Sequence, residues 1–97
     1  MNGLKFEWDA IKNISNQKKH GISFEEAQTV FADELARLIP DPDHSIGEER
    51  FVLMGMSSQL KLLTVCHCER GLDTIRIISA RKADKLELKQ YEGYNYA

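Results

Sequence analysis

From Glu49 to Arg81 the apolar residues recur at every second position in three successive runs, 49–56, 60–68 and 74–81, and this change of period constrains the fold more than any other feature. Ser57-Ser58-Gln59 and Arg70-Gly71-Leu72-Asp73 join the runs, and both connections are short enough for antiparallel hairpins, so a β-meander is expected. In the last run Ile75, Ile77 and Ile78 are β-branched and suit a buried strand, yet Arg76 interrupts them and Arg81 and Lys82 follow at once. A cation inside such a run needs a partner or a purpose.

The N-terminal half reads as helical around a short opening strand. Residues 4–8 alternate, with Leu4, Phe6 and Trp8 on one face. Asp9 then caps a first helix expected to turn Ile11 and Ile14 inward, and Gly21 stops it after Lys18, Lys19 and His20, whose charge suits a helix C-terminus. Ser23 with Glu26 forms a capping box ahead of Phe24, Ala27, Val30 and Phe31, leaving Glu25, Glu26 and Gln28 as a solvated outer face. Residues 35–39 suggest a short strand before the turn-rich PDPDHSIGEE. A last helix begins near Asp84, which caps with Glu87; it points Ala83, Leu86, Leu88 and Tyr91 inward and stops at Gly93. The expected class is α+β: an antiparallel sheet, made of the three-stranded meander plus one or two short N-terminal strands, packed with two N-terminal helices and one C-terminal helix.

A chain of 97 residues can bury roughly two-thirds of its unfolded surface, so residues 1–97 are expected to form a single domain. No apolar run approaches the ~18 residues of a membrane helix, and the N-terminus lacks a signal-like apolar region, which places the protein in the cytoplasm with no membrane role. Cys66 and Cys68 share one face of a strand and are poorly spaced for each other, while His67 points to the other face. They read as reduced, core-filling thiols, and neither a metal nor a cofactor is expected.

The net charge of −2 argues against attraction to nucleic acid by bulk charge. Its distribution is uneven: residues 25–49 carry eight acids against Arg37, whereas residues 76–89 carry five bases against Asp84 and Glu87. If the hairpins pair Met56 with Leu60 and Cys68 with Thr74, then Arg50, Cys66 and Arg76 form one cross-strand row, with Glu49, His67 and Ile75 on the other face. Such arginines either bond carboxylates, Glu48 being the nearest in view, or hold an anion such as a phosphate. The set suits metal-free RNA cleavage by the 2′-hydroxyl. Arg76 and Arg81 supply charge, His44 or a neighbouring Glu the proton transfers, Lys82 or Arg70 the phosphate contacts, and Lys19 a basic helix edge; Tyr91 either stacks on a base or packs in the core. DNA binding by the chain itself is disfavoured, because no basic recognition helix is visible.

FEWD at Phe6 to Asp9, KHGISFEEA from Lys19 to Ala27, Phe31-x-Asp33, HSIGEER from His44 to Arg50, Gly55, IRIISARKA from Ile75 to Ala83 and the later Tyr91 together resemble the BrnT family, in its order and spacing. The sequence departs from the family's pattern at Glu34, at Ser58-Gln59-Leu60-Lys61 and at Val65-Cys66-His67-Cys68. The resemblance implies a RelE-like fold and a ribonuclease toxin of a type II toxin–antitoxin system that cleaves RNA and slows translation. It further implies a ribbon-helix-helix antitoxin of the BrnA type, which would carry any contact with operator DNA, in a heterotetramer of two toxins and two antitoxins. The positions it carries over are His44, Glu48, Glu49, Arg50, Arg76, Arg81 and Tyr91. The alternative function is a non-catalytic binding module that grips a partner through its acidic side.

Overall fold

The structure, a computed structural model, describes residues 3–40 and 49–96. The elements run β1 (Lys5–Glu7), α1 (Ala10–His20), α2 (Phe24–Gln28), a 3₁₀ turn (Thr29–Ala32), β2 (Arg37–Pro40), β3 (Arg50–Met56), β4 (Leu62–Arg70), β5 (Thr74–Lys82) and α3 (Lys85–Tyr96). The strands of the described residues form one sheet in the order β1-β5-β4-β3-β2. The expected meander is its centre, and both N-terminal strands join it. The sheet is mixed rather than antiparallel, because β1 lies parallel to β5. A parallel pair needs a long crossover, and here everything between residues 7 and 74 supplies it.

α1 and α2 cover one face of the sheet. Ile22, Phe24, Ala27 and Val30 pack there against Leu53, Leu63, Val65, Ile75, Ile77 and Ala80, with Phe6, Trp8, Phe31 and Ala36 around the rim. Each fully buried aliphatic or aromatic side chain contributes about 2 kcal/mol, so this layer supplies most of the driving force. Gly55 lies under it where no side chain fits: a Cβ would come within 2.9 Å of both Ala36 Cβ and Val30 Cγ1 and 3.1 Å from Asp33 Oδ2.

α1 is capped as expected, with Asp9 Oδ1 accepting from the Ile11 and Lys12 N–H groups and Gly21 in the left-handed region at φ 74°. Its orientation is opposite to the expected one. Ile11 is 75% exposed and Ile14 also faces outward, while Asn13 and Asn16 are buried. The amides win because they satisfy backbone groups that would otherwise be orphaned. Asn16 Nδ2 donates to the carbonyls of Ile22 (2.8 Å) and Ala80 (2.7 Å), and its Oδ1 accepts from Ala80 N–H (3.1 Å). It therefore acts as a one-residue strand on the edge of β5, where β1, paired only with Thr74 to Arg76, no longer reaches. Asn13 Oδ1 accepts from Phe24 N–H at 2.8 Å, and its Nδ2 donates to Glu25.

A second correction concerns Glu26. Ser23 caps α2 as expected, accepting from Glu26 N–H at 3.0 Å. The Glu26 side chain, however, is buried rather than solvated; it accepts from Ser57 Oγ at 2.7 Å and lies 3.8 Å from Lys61 Nζ, so it clamps the β3–β4 turn.

α3 starts with the expected reciprocal box: Asp84 N–H donates to Glu87 Oε1 (2.9 Å) and Glu87 N–H to Asp84 Oδ1 (2.8 Å). It then runs through Gly93 instead of stopping there, a glycine costing only ~1 kcal/mol inside a helix. Glu87 and Tyr91, one turn apart, form its inner side, which rotates Leu86 and Leu88 outward against expectation. No helix among the described residues is long and apolar enough to cross a membrane.

Candidate active site

The face of the sheet opposite the α1–α2 core carries the candidate chemistry. The first turn is two residues longer than expected and the second two residues shorter, since Met56 pairs with Leu62 and Arg70 with Thr74, so each register slips by two. A slip of two preserves which face each side chain takes. Arg50 and Arg76 therefore still share a row, but through Cys68 rather than Cys66, and the row continues across the sheet to Glu7 on β1. On the core face, His67 lies beside Phe51 and Ile77, not beside Glu49 and Ile75. Glu49 precedes β3 and is exposed. His44 and Glu48 lie outside the described residues.

A bulge decides the rest of the site. Cys66 pairs with Ser79 and His67 with Ile77, which leaves Ile78 as an extra residue on β5. Arg76 and Arg81 are an odd number of residues apart and would take opposite faces of a regular strand. The bulge inverts the alternation between them, so Arg81, opposite Thr64, joins Arg76, opposite Cys68, on one face. Arg37 belongs to that face through the row Arg37, Met54, Thr64, Arg81, and so does Arg70, opposite Thr74. All five arginines of the chain thus stand on one side of the sheet.

Two of them meet carboxylates in different ways. Arg76 Nη1 donates to Glu7 Oε2 at 2.9 Å, a single-point pair with both side chains partly exposed. The sequence suggests Glu48, which lies outside the described residues; β1, parallel to β5, brings Glu7 to Arg76. Arg81 donates through both Nη1 and Nη2 to Glu87 Oε1 (2.7 Å) and Oε2 (2.9 Å), and through Nη1 to Lys82 O at 3.3 Å. The Arg81 guanidinium holds the Glu87 carboxyl below the usual carboxylate range despite its partial burial, and Glu87 in turn raises Arg81.

Tyr91 is buried, and its hydroxyl donates to Asp33 Oδ2 at 2.8 Å. This favours the core alternative over base stacking. Asp33 also accepts from Met56 and Leu35 N–H, at 2.8 and 2.9 Å. Burial pushes its carboxyl up, but these N–H donors and the tyrosine hydroxyl outweigh it and hold the pKa low. Asp33 therefore ties α3 to the end of β3. Lys82 and Arg70 are exposed at opposite ends of the strand pair, and Lys19 is exposed in the last turn of α1, on the far side of the sheet from the arginine row.

Cys66 and Cys68 lie on the arginine face and are not joined in a disulfide, whereas His67 points into the core, its ring edge-on to Phe31 at 4.8 Å. Burial pushes its pKa down. The triplet cannot converge on one ion, and no cluster of three His, Cys, Asp or Glu suited to a metal occurs among the described residues.

Sequence reasoning missed Arg37, Glu7 and the second duty of Glu87. Arg37 looked like a lone base in an acidic stretch, and only strand pairing reveals its row. Glu87 did carry a signal, its spacing from Asp84, which accounts for the cap but not for Arg81.

The description "Ribonuclease toxin, BrnT, of type II toxin-antitoxin system" belongs to a family model that matches residues 8–87. Among solved structures, the crystal structure of the Brucella abortus ribonuclease toxin BrnT superposes with a TM-score of 0.67 at 24% identity, covering 84% of this chain and 99% of that one. At this identity the likeness establishes the fold. A comparison with curated proteins finds no match. The family match spans β2 to β5, the bulge and the arginines described above, and the chain belongs to the BrnT family of ribonuclease toxins of type II toxin–antitoxin systems.

Proposed function

We propose that the arginine face binds RNA and cleaves it without a metal ion, through attack of a 2′-hydroxyl on the adjacent phosphorus. The observation that carries this reading is the gathering of every arginine on one sheet face by way of a bulge. Arginine presents several planar donors to phosphate oxygens at once, which lysine cannot do. Arg76 spends one N–H on Glu7 and shares a row with Arg50, two strands away across Cys68, so the scissile phosphate belongs at this end.

In the reaction the 2′-oxygen bonds to phosphorus, its proton passes to a base, the P–O5′ bond breaks and an acid protonates the leaving 5′-oxygen. The products are a 2′,3′-cyclic phosphate and a 5′-hydroxyl. Glu49, Glu48 and His44 lead into β3 beside Arg50 in the chain and are assigned the proton transfers. Arg76, with Arg50, stabilises the charge of the five-coordinate phosphorus. Arg70 extends the contact with the RNA backbone, with Lys82, which sits at the strand end on the opposite face beside Leu63, and Lys19 as outlying contributors. Arg81 takes part only if Glu87 releases it.

The same reading makes the chain a cytoplasmic inhibitor of translation, neutralised by a BrnA-type ribbon-helix-helix antitoxin in a complex of two toxins and two antitoxins. Exposed Ile11 and Ile14 on α1 and Leu86 and Leu88 on α3 are apolar surface that such a partner could cover. They are also what favours the second reading, a module that acts by protein binding alone. The deciding experiment incubates folded protein with RNA in EDTA. The ribonuclease reading requires cleavage that ends in a cyclic phosphate and is lost in Arg76→Ala; intact RNA with folded wild-type protein refutes it.

A further inference from the structure

Between α3 and strands β2 and β3 lies a cleft of about 120 Å³ lined by Arg37, Val52, Met54, Glu87 and Gln90. Two of its lining residues, Arg37 and Met54, belong to the row Arg37, Met54, Thr64, Arg81, which carries on across the sheet beyond the cleft. Thr64 is only 6% exposed, and its hydroxyl oxygen makes no well-formed hydrogen bond, though it lies close enough to Glu87 to help steady that charge.

The lining is not that of a phosphate site. Val52 and Met54 offer apolar surface, Arg37 a planar cation, Gln90 an exposed amide and Glu87 a fixed carboxylate. Glu87 Oε1 already accepts from Arg81 and from Asp84 N–H, and Oε2 from Arg81. A carboxylate has about four acceptor positions, so one remains, on Oε2. Arg81 thus serves as a positioning residue that keeps this acceptor charged and aimed. A cleft of this volume with apolar lining, one fixed anionic acceptor and an adaptable amide matches a nucleobase, whose faces are apolar and whose edge carries donors and acceptors.

We infer that this cleft is the recognition subsite for one nucleobase of the RNA, and that it takes a base bearing an exocyclic amino group. The amino group donates to Glu87 Oε2, the Gln90 amide pairs with the neighbouring edge atom, and the ring lies against Val52 and Met54. Uracil, which would turn a carbonyl oxygen toward the carboxylate, is rejected. The inference rests on the RNA reading, but binding and cleavage can be tested apart.

The test uses the full chain and 2′-O-methyl tetranucleotides, which a 2′-hydroxyl mechanism cannot cut, with one base varied. Fluorescence anisotropy should show adenine, cytosine or guanine bound about tenfold more tightly than uracil, and replacing guanine by hypoxanthine, which lacks the amino group, should remove guanine's advantage. Gln90→Ala, an exposed substitution, should reduce the discrimination to about threefold with the circular dichroism spectrum unchanged. Equal affinity for all four bases, no measurable binding of any, or discrimination untouched by Gln90→Ala overturns the subsite. Cleavage of unmodified RNA is scored separately: its absence refutes the nuclease reading, while base-dependent binding that Gln90 controls still supports the cleft.

Discussion

The two ends of the arginine face use the same pair of residue types to opposite effect. At one end Arg76 meets Glu7 through a single hydrogen bond and has Arg50 across Cys68, so that carboxylate leaves most of its donors untaken. At the other, Arg81 is gripped through both terminal nitrogens by Glu87, which is itself built into the cap of α3. A guanidinium filled by a carboxylate is a structural joint; one with donors to spare is a reagent. The presence of an arginine near a strand end does not tell which it is. The number and direction of its bonds do.

The largest expected effect is on activity at the Arg76 end. Arg76→Ala should cut RNA cleavage ~10²–10³-fold while lowering stability by only about 1 kcal/mol, since an exposed ion pair holds the fold weakly. Single-turnover cleavage with a urea melt checks both, and an equal loss in Arg81→Ala would abolish the distinction between the ends. Asp33→Asn should come next, at about 2 kcal/mol of stability. It replaces one of two acceptor oxygens by an N–H₂, which then faces either the Leu35 N–H at Oδ1 or the Met56 N–H and Tyr91 hydroxyl at Oδ2. Hydrogen exchange should then report early opening of α3; uniform exchange across the molecule would argue against Asp33 as its anchor.

Arg81→Ala should cost about 1 kcal/mol, again in α3, because it leaves Glu87 half-buried without its partner. The pair also predicts an acid response. Glu87 is held below its ordinary 4.5, so its contribution is complete above that pH and is lost as the pH falls through the lower folded value. Glu87→Gln should flatten this part of the stability profile, and an unchanged acid limb would mean that the fork is not formed in solution. The smallest effect belongs to Glu7→Gln, roughly 0.5 kcal/mol or less, with RNA affinity equal to or above that of the wild type. A large loss of stability there would make Arg76 a joint like Arg81.

Some elements followed directly from local sequence. The caps at Asp9, Ser23 and Asp84 and the turn at Gly21 depend on groups within three or four residues of one another, and all form, the Ser23 cap without the return bond from Glu26. The face of each helix did not follow. Ile11 and Ile14 turned outward because Asn13 and Asn16 had backbone partners that apolar spacing cannot reveal, one of them 64 residues away. Glu26 likewise left the surface for Ser57 across the sheet. Hydrophobic periodicity measures transfer from water. It is blind to an amide that completes a sheet edge, and here that edge outweighs two isoleucines.

For the site, the sequence alone determined which chemistry was available: a β-rich chain with arginines at strand ends, an acidic approach to β3, and the residue pattern of a BrnT toxin. Tertiary structure decided which arginines act together. Strand alternation would have sent Arg76 and Arg81 to opposite faces, and a single unpaired residue, Ile78, brought them to the same one. A bulge is set by pairing across strands, and so are the partners Glu7 and Glu87. Those energies arise between segments distant along the chain, so only the folded molecule contains them.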